Sequence, residues 1–81
     1  MVIAVDFDGT INLNGKPNTM LINRLRIDQA KGNQIILYTS REGKSLAEAV
    51  NLCRAWGLCL NGVRGGKLRA DIYIDDKAMR P

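Results

Sequence analysis

The sequence predicts an α/β domain, a three-layer sandwich built on a mostly parallel sheet of four strands. Near-continuous apolar runs, typical of strands buried on both faces, alternate along the chain with segments of helical periodicity. The connections between these segments are short, which favours parallel pairing through right-handed crossovers. With 81 residues, the chain is expected to form a single domain, residues 1–81, around a thin core.

The first half of the chain supplies two strands and one helix. The first strand is residues 2–6, and residues 9–16 after it are rich in turn formers. Pro17 suits the first position of a helix, and Gly32 ends that helix. The apolar side of the helix is predicted to consist of Met20, Leu21, Leu25 and Ala30. The run QIILYTS, which begins at Gln34, is the second strand.

The second half continues the alternation of helix and strand. A second helix is predicted over residues 43–56, where Ser45 and Glu48 have the spacing of a capping box. Its apolar stripe consists of Leu46, Val50, Cys53 and Trp56, and Gly57 follows it. The run LCLNGV from Leu58 is a short third strand, and ADIYIDD from Ala70 is the fourth.

Composition narrows the classes of function. No apolar run reaches the ~20 residues that cross a bilayer, and no leader precedes the first strand, so a cytoplasmic location is expected. The net charge of +4 favours anionic ligands, but with scattered Lys and Arg and 5% aromatic residues, nucleic-acid binding is not indicated. Cys53 and Cys59 lack a metal-site spacing and are predicted to be small buried residues. Because the chain has no His, its chemistry must use carboxylates, Lys, hydroxyls or Cys.

Four acidic residues follow two of the predicted strands. Asp6 and Asp8 come at the end of the first strand, and Asp75 and Asp76 come at the end of the fourth. The carboxyl ends of parallel strands form the edge where ligands bind, so these acids converge if the two strands are neighbours. Clustered carboxylates repel one another unless a cation joins them. A set of oxygen ligands without His favours Mg²⁺ over zinc.

Groups suited to phosphate lie near these acids in the predicted fold. Lys67, which follows two glycines, supplies a point charge, and Thr39 supplies a hydroxyl at the end of the second strand. Gly9 and Thr10 offer backbone N–H groups in a turn, which could cradle an anion. Together with a metal, these groups form a plausible phosphoryl-transfer site.

Simpler structural explanations exist for the same residues. Asp-Gly is a common turn pair, Thr39 could be an ordinary β-branched strand residue, and Lys67 could be a solvated loop residue. Ser40 and Arg41 could contact a substrate, but an exposed Ser-Arg pair at the start of a helix explains them equally well.

The chain resembles the haloacid dehalogenase-like (HAD) phosphohydrolases in four motifs. The run DFDGT from Asp6, placed directly after a strand, matches the signature of that family. Thr39 in LYTSR is similar to the second motif, Lys67 to the third, and Asp75 with Asp76 in IYIDD to the fourth. All four occur in the family's order, and the resemblance covers essentially the whole chain. It implies a Rossmann-like core and a Mg²⁺-dependent phosphatase, a phosphoric monoester hydrolase.

The resemblance also implies a role for each motif residue. Asp6 resembles the nucleophile that forms an aspartyl-phosphate, and Asp8 the general acid that protonates the leaving oxygen and then activates water. Thr39 and Lys67 would hold the phosphoryl oxygens. The resemblance implies four residues around the metal: Asp6, Asp8, Asp75 and Asp76. Asp8 would bind the metal through its backbone carbonyl. Of Asp75 and Asp76, the second is the first choice of direct ligand.

The chain leaves no room for the cap domain that most members of that family carry. The gap from Thr10 to Pro17 is too short for a cap, and one helix and one strand occupy the segment from Arg41 to Lys67. The resemblance is therefore to a capless, minimal form. An open site of this kind suits a macromolecular substrate, such as a phosphorylated polymer end, or a site completed by another subunit. A small phosphorylated molecule and a homo-oligomer both remain open, and no membrane partner is expected.

Two alternatives to a phosphatase remain. The first is a phosphoacceptor module similar to the receiver domains of two-component signalling, which also place acids, Thr and Lys at the edge of a parallel sheet. The second is a catalytically idle binding module that keeps the HAD-like fold.

Overall fold

The computed structural model of the protein describes residues 1–66 and 68–75 and the backbone of residues 79–80. Its secondary-structure elements, in chain order, are β1 (Val2–Asp6), β2 (Asn12–Leu13), β3 (Lys16–Pro17), α1 (Thr19–Ala30), β4 (Gln34–Tyr38), α2 (Gly43–Ala55), β5 (Gly62–Arg64), β6 (Ile72–Ile74) and β7 (Met79–Arg80). None of the helices in these described ranges is long and apolar enough to span a membrane.

The main sheet has the strand order β5-β4-β1-β6-β7, so β1 lies at its centre. β1 pairs in parallel with β4 on one side and with β6 on the other, and β4 pairs in parallel with β5. The mostly parallel four-stranded α/β sheet predicted from the sequence is therefore confirmed. The two-residue strand β7, which the sequence analysis did not predict, adds an antiparallel edge next to β6.

The layering differs from the predicted three-layer sandwich, because both helices pack on one face of the sheet. The core consists of side chains from that face and from the two helices, and its buried members include Ile3, Val5, Ile35, Leu37, Ile74, Leu21, Ile22, Leu25, Ala49 and Cys53. α1 carries the chain from β1 to β4, and α2 carries it onward to β5 in the same direction. Right-handed crossovers that run in one direction place their helices on one side of the sheet.

The connection from β5 back to β6 crosses the opposite face of the sheet without a described helix. Tyr73, on β6, holds this connection, because its hydroxyl donates a hydrogen bond to the Leu68 carbonyl (2.7 Å) and accepts one from the Ala70 N–H (3.0 Å). Tyr38 on β4 remains exposed on the same face. Among the described residues, this face is therefore covered by a strap of loop rather than by a third layer.

The first helix begins two residues later than predicted. Residues 12–17 form the hairpin of β2 and β3, with Asn14 at a positive φ of 54° in its turn, so Pro17 belongs to a strand. Asn18 caps α1 by accepting a hydrogen bond from the Leu21 N–H (3.3 Å). The predicted apolar side is wrong at two positions: Met20 is 86% exposed and Ala30 is exposed.

Both helices end at the predicted glycines. Gly32 and Gly57 have φ of 96° and 85°, a conformation that favours Gly. At the end of α2, the Leu58 N–H donates to the Cys53 carbonyl (2.8 Å) and the Gly57 N–H to the Arg54 carbonyl (3.1 Å), which is a Schellman motif.

Two further sequence predictions are wrong in the second half. α2 begins at Gly43 after Glu42, with no side-chain cap, so Ser45 and Glu48 lie inside the helix and form no capping box. The third strand begins at Gly62 rather than at Leu58, because Leu58 turns into the core.

The two cysteines, which are both free thiols, differ in their surroundings. Cys53 is buried as predicted, and its burial raises the pKa of the thiol to about 11. Cys59 is exposed, which contradicts the prediction that both are buried.

Candidate active site

Three of the predicted site residues lie at one edge of the sheet. Asp6 is the last residue of β1, Thr39 follows β4, and Asp75 follows β6. The register of β1 and β4 pairs Asp6 with Tyr38, the residue before Thr39. The register of β1 and β6 pairs Val5 with Ile74, the residues before Asp6 and Asp75, so the three positions are neighbours. The structure thus brings together the ends of the first, second and fourth parallel strands, as the sequence predicts.

This edge is also the topological switch point of the sheet. From β1, the chain moves to β4 on one side, and it returns later to pair β6 on the other side. When the parallel strands are numbered along the sequence, their order is 3-2-1-4, which is the order of Rossmann-type sheets. Ligands of open parallel sheets bind at such a point, and Asp6 lies on the strand that forms it.

The loop after β1 is a tight turn around one carbonyl oxygen. The Phe7 carbonyl accepts hydrogen bonds from the N–H groups of Thr10 (3.2 Å), Ile11 (3.0 Å) and Asn12 (2.9 Å). The Gly9 N–H donates to the Asn12 carbonyl (2.9 Å). In this conformation the turn itself uses both N–H groups, and the anion cradle predicted from Gly9 and Thr10 stays a prediction.

The side chains of Asp6 and Thr10 are placed by the same turn. The Phe7 N–H donates to the Asp6 carboxylate (Oδ1, 2.8 Å), and the carboxylate is half-buried. Thr10 is only 4% exposed, and its buried hydroxyl oxygen has no hydrogen-bond partner among the described residues. A buried hydroxyl without a partner is unfavourable for folding, which makes Thr10 a residue retained for another reason.

The Thr39 hydroxyl is buried at the end of β4 and oriented by the backbone. Thr39 is 3% exposed, and its Oγ1 accepts a hydrogen bond from the Arg41 N–H (3.1 Å). The Thr39 N–H donates to the Arg64 carbonyl (3.1 Å), which ties the end of β4 to β5. Because its oxygen serves here as an acceptor, the hydroxyl keeps its proton to donate to a ligand oxygen.

Asp8 is held by Arg41 through both carboxylate oxygens. Arg41 Nε donates to Asp8 Oδ2 (2.8 Å), and Arg41 Nη2 donates to Asp8 Oδ1 (2.7 Å). These hydrogen bonds hold the pKa of Asp8 below its usual value and raise the pKa of Arg41. The pair joins the first motif to the residues just after the second motif.

Two aromatic rings lie behind this ion pair. The Arg41 guanidinium lies 4.9 Å from the centroid of the Phe7 ring, in cation–π geometry. The Phe7 ring stacks on Trp56, with centroids 6.2 Å apart and planes 10° apart. From the sequence, Arg41 was weighed as a substrate contact but was not placed among the candidate site residues; its position two residues after Thr39 is the signal that favours it.

The metal site predicted from the sequence is only partly described. Asp76 and Lys67 both lie outside the described residues. Within the described part of the chain, no group of three or more His, Cys, Asp or Glu residues is placed to hold a metal ion. Asp6 and Asp75 are the two carboxylates that the strand ends bring to the same edge, and an all-oxygen pair of this kind fits a hard cation.

A solved structure matches the chain closely. That structure, of a conserved protein coded by a locus from Bacteroides thetaiotaomicron, aligns over 96% of this chain and 77% of that chain, with a TM-score of 0.85 and 35% sequence identity. This chain belongs to the family of that conserved protein. The family of the conserved Bacteroides protein shares the sheet and helices described above. No protein-family model and no curated protein matches the chain.

Proposed function

We propose that the protein is a Mg²⁺-dependent phosphatase that hydrolyses phosphate monoesters through an aspartyl-phosphate on Asp6. One observation carries the proposal: Asp6 ends the central strand, and Thr39 and Asp75 flank it in the sheet, directly after the ends of both neighbouring strands. A nucleophilic carboxylate beside a hydroxyl donor and a second acid is the arrangement that the HAD-like motifs imply.

The proposed reaction has two steps on the side chains of this protein. In the first, an Asp6 carboxylate oxygen attacks phosphorus and the bond from phosphorus to the ester oxygen breaks. Asp8, which must first take up a proton because Arg41 holds its pKa low, gives that proton to the leaving oxygen. In the second, water attacks the same phosphorus while Asp8 takes its proton, which releases inorganic phosphate and restores Asp6. The Thr39 hydroxyl donates a hydrogen bond to a phosphoryl oxygen, and Lys67 neutralises another.

A magnesium ion, when bound, would reduce the negative charge of the acids and of the phosphoryl group. The candidate ligands are Asp6 and Asp75, together with the Asp8 carbonyl and Asp76. The first two fit a hard cation because they supply oxygen ligands from neighbouring strand ends. Mg²⁺ dependence is therefore part of the proposal.

The substrate class is proposed to be a phosphate monoester presented at an open edge. A cavity of about 410 Å³, lined by residues including Val50, Leu58 and Val63, lies between α2 and β5 rather than at the acidic edge. A sugar phosphate, a nucleotide and a phosphorylated polymer end all fit the proposal. The cytoplasmic location and the homo-oligomer stay predictions.

Asp6→Asn tests the proposed function. Purified protein is incubated with a chromogenic phosphate ester with and without Mg²⁺, and released product is measured. We expect Mg²⁺-dependent release, and a fall in kcat of about 10³-fold or more in Asp6→Asn because the nucleophile is lost. Asp28→Asn is the matched control, since Asp28 lies on α1, away from the carboxyl ends of the strands, and its carboxylate pairs with Arg24 (3.8 Å). Release that survives Asp6→Asn, or no Mg²⁺-dependent release at all, would contradict the proposal.

Two features distinguish the receiver-like alternative from a phosphatase: the order of the strands and the lifetime of the phosphorylated protein. Flavodoxin-like sheets, which receiver domains resemble, have the order 2-1-3-4-5, whereas the parallel strands here run 3-2-1-4. Incubation with acetyl phosphate distinguishes the two, because a signalling module retains its phosphoryl label for minutes while a phosphatase turns over. A catalytically idle module would give neither a lasting label nor product.

A further inference from the structure

Three side-chain contacts and one backbone contact hold Arg41 beside Asp8 and Thr39. Its fork holds both oxygens of Asp8 (2.7 and 2.8 Å), and Nη1 donates to the Ser45 carbonyl (3.3 Å). The guanidinium stacks on Phe7, and the backbone N–H binds Thr39 Oγ1. As a result, the Arg41 side chain is only 21% exposed, although the Asp8 side chain that it holds is 53% exposed.

This arrangement conflicts with the chemistry assigned to Asp8. In the proposed phosphatase, Asp8 must reach the leaving oxygen to give and later take a proton. Both of its oxygens are engaged by Arg41 in this structure, so the pair must open during each turnover. The Asp8 side chain is 53% exposed, so water and an anionic ligand can reach the pair and compete with Asp8 for the guanidinium.

The geometry of the guanidinium indicates which ligand could replace Asp8 on Arg41. A guanidinium presents two parallel N–H donors that match a carboxylate and a phosphate equally well. Thr39, which is predicted to hold a phosphoryl oxygen, contacts the backbone of Arg41 itself. Because the Arg41 guanidinium binds the carboxylate of Asp8, two residues after Asp6, it lies beside the loop where the proposed phosphoryl group would bind.

We propose that Arg41 is a substrate-binding residue whose guanidinium exchanges Asp8 for the phosphate of the incoming ester. Without substrate, Asp8 binds the Arg41 guanidinium. Asp8 becomes available for proton transfer only when phosphate has replaced it on the guanidinium. The inference rests on the proposed function. It also assigns the acceptor of Arg41 by chemical class, namely a phosphate monoester.

Binding of inorganic phosphate, measured by calorimetry in Mg²⁺ buffer, tests this exchange without catalysis. We expect Arg41→Ala to weaken phosphate binding by about tenfold or more, since two charge-assisted hydrogen bonds are lost. Arg41→Lys keeps the charge but not the two parallel donors, and its phosphate affinity is expected to lie between those of the wild type and Arg41→Ala. Arg24→Ala is the matched control, because Arg24 is also in an ion pair with an Asp, on α1. Equal phosphate affinity in the wild type and Arg41→Ala would overturn the proposal.

Asp8→Asn distinguishes an Asp8 that competes with phosphate for Arg41 from an Asp8 that only supports the structure. If Asp8 competes with phosphate for Arg41, Asp8→Asn tightens phosphate binding severalfold, and the gain disappears when Arg41→Ala is added. If the pair only supports the start of α2, Asp8→Asn leaves phosphate affinity unchanged or weaker, and that result contradicts the exchange. A gain that persists in the double variant would also overturn it, because that gain would come from lost charge repulsion alone.

Ester hydrolysis separates the two proposals. If Arg41→Ala retains the KM of the wild type and Mg²⁺-dependent release persists, the exchange is wrong and the phosphatase stands. If no variant releases product but phosphate still binds in the order wild type, Arg41→Lys, Arg41→Ala, the site recognises phosphate and the phosphatase proposal is wrong.

Discussion

At the scale of single residues, the candidate site combines groups that serve the fold poorly. Thr10 buries a hydroxyl that has no hydrogen-bond partner among the described residues. Asp8 and Arg41 form a bidentate ion pair in which the Asp8 side chain is still 53% exposed to water. A buried hydroxyl without a partner and a half-exposed ion pair are features expected where chemistry rather than folding determines the residue.

Thr10→Val tests that argument at one atom. The replacement keeps the shape of Thr10 and removes the unpartnered hydroxyl, so we expect the free energy of unfolding to rise by about 1 kcal/mol. Urea denaturation measures this change, with Thr10→Ser as the control that keeps the hydroxyl. A protein that becomes less stable than Thr10→Ser would show that the hydroxyl has a structural partner after all.

At the scale of elements, the helix ends depend on local backbone geometry that the sequence encodes directly. Gly57 ends α2 with a φ of 85°, and a Cβ added there would meet Arg26 Nη1 at 3.6 Å, an ordinary contact. Any effect of replacing this glycine therefore comes from the backbone conformation rather than from a steric clash.

Gly57→Ala measures that backbone effect. We expect the free energy of unfolding to fall by about 1 kcal/mol, because an L residue is disfavoured at positive φ. Gly66→Ala is the control: no atom lies within 4 Å of its added Cβ, and its change is expected to stay within about 0.5 kcal/mol. Thermal or urea unfolding compares the two. Equal effects would mean that the αL conformation of Gly57 contributes nothing specific.

Elements were predictable from the sequence where their signals are local. Gly32 and Gly57 were identified as helix ends, because the residue type and the backbone conformation coincide at one position. The start of α1 was misplaced because Pro17 was assigned to a helix, although Asn14-Gly15 between short strands is a common hairpin turn. The apolar side of α1 was also misjudged, since Met20 belongs to the first turn and faces outward.

The candidate site was predictable only in part, because only some of its features depend on local sequence signals. An acid directly after an apolar strand is a local pattern, so Asp6 and Asp75 were found. The contact between Asp8 and Arg41 joins residues 33 positions apart and depends on which strands become neighbours. The placement of both helices on one face follows from strand order together with crossover handedness, and strand order was not encoded in any short segment.

At the scale of the whole molecule, the central strand is secured at its other end by a residue from far along the chain. The Val2 N–H donates to the Asp71 carboxylate (2.7 Å), and the Asp71 N–H donates to the Val2 carbonyl (2.8 Å). This reciprocal contact spans 69 residues of sequence and fixes the register of β6 against β1.

Asp71→Ala tests how much this contact contributes. We expect the free energy of unfolding to fall by about 1 kcal/mol, because one hydrogen bond to a charged acceptor is lost at an exposed position. Asp28→Ala is the matched control, since Asp28 forms only an exposed pair with Arg24 and its removal is expected to change stability by less than about 0.5 kcal/mol. Urea denaturation of both variants decides between them, and an Asp71→Ala effect no larger than the control would contradict this role.

The position of β1 between β4 and β6 has a kinetic consequence. Pairing of β1 with β4 closes a loop of moderate length, whereas pairing with β6 must bring together segments from opposite ends of the described chain, which is entropically slower. We therefore expect Asp6 and Thr39 to meet early during folding and Asp75 to join them last. Refolding followed by spectroscopy and by the proposed ester hydrolysis checks this order: helices and buried core are expected to form before the proposed activity returns.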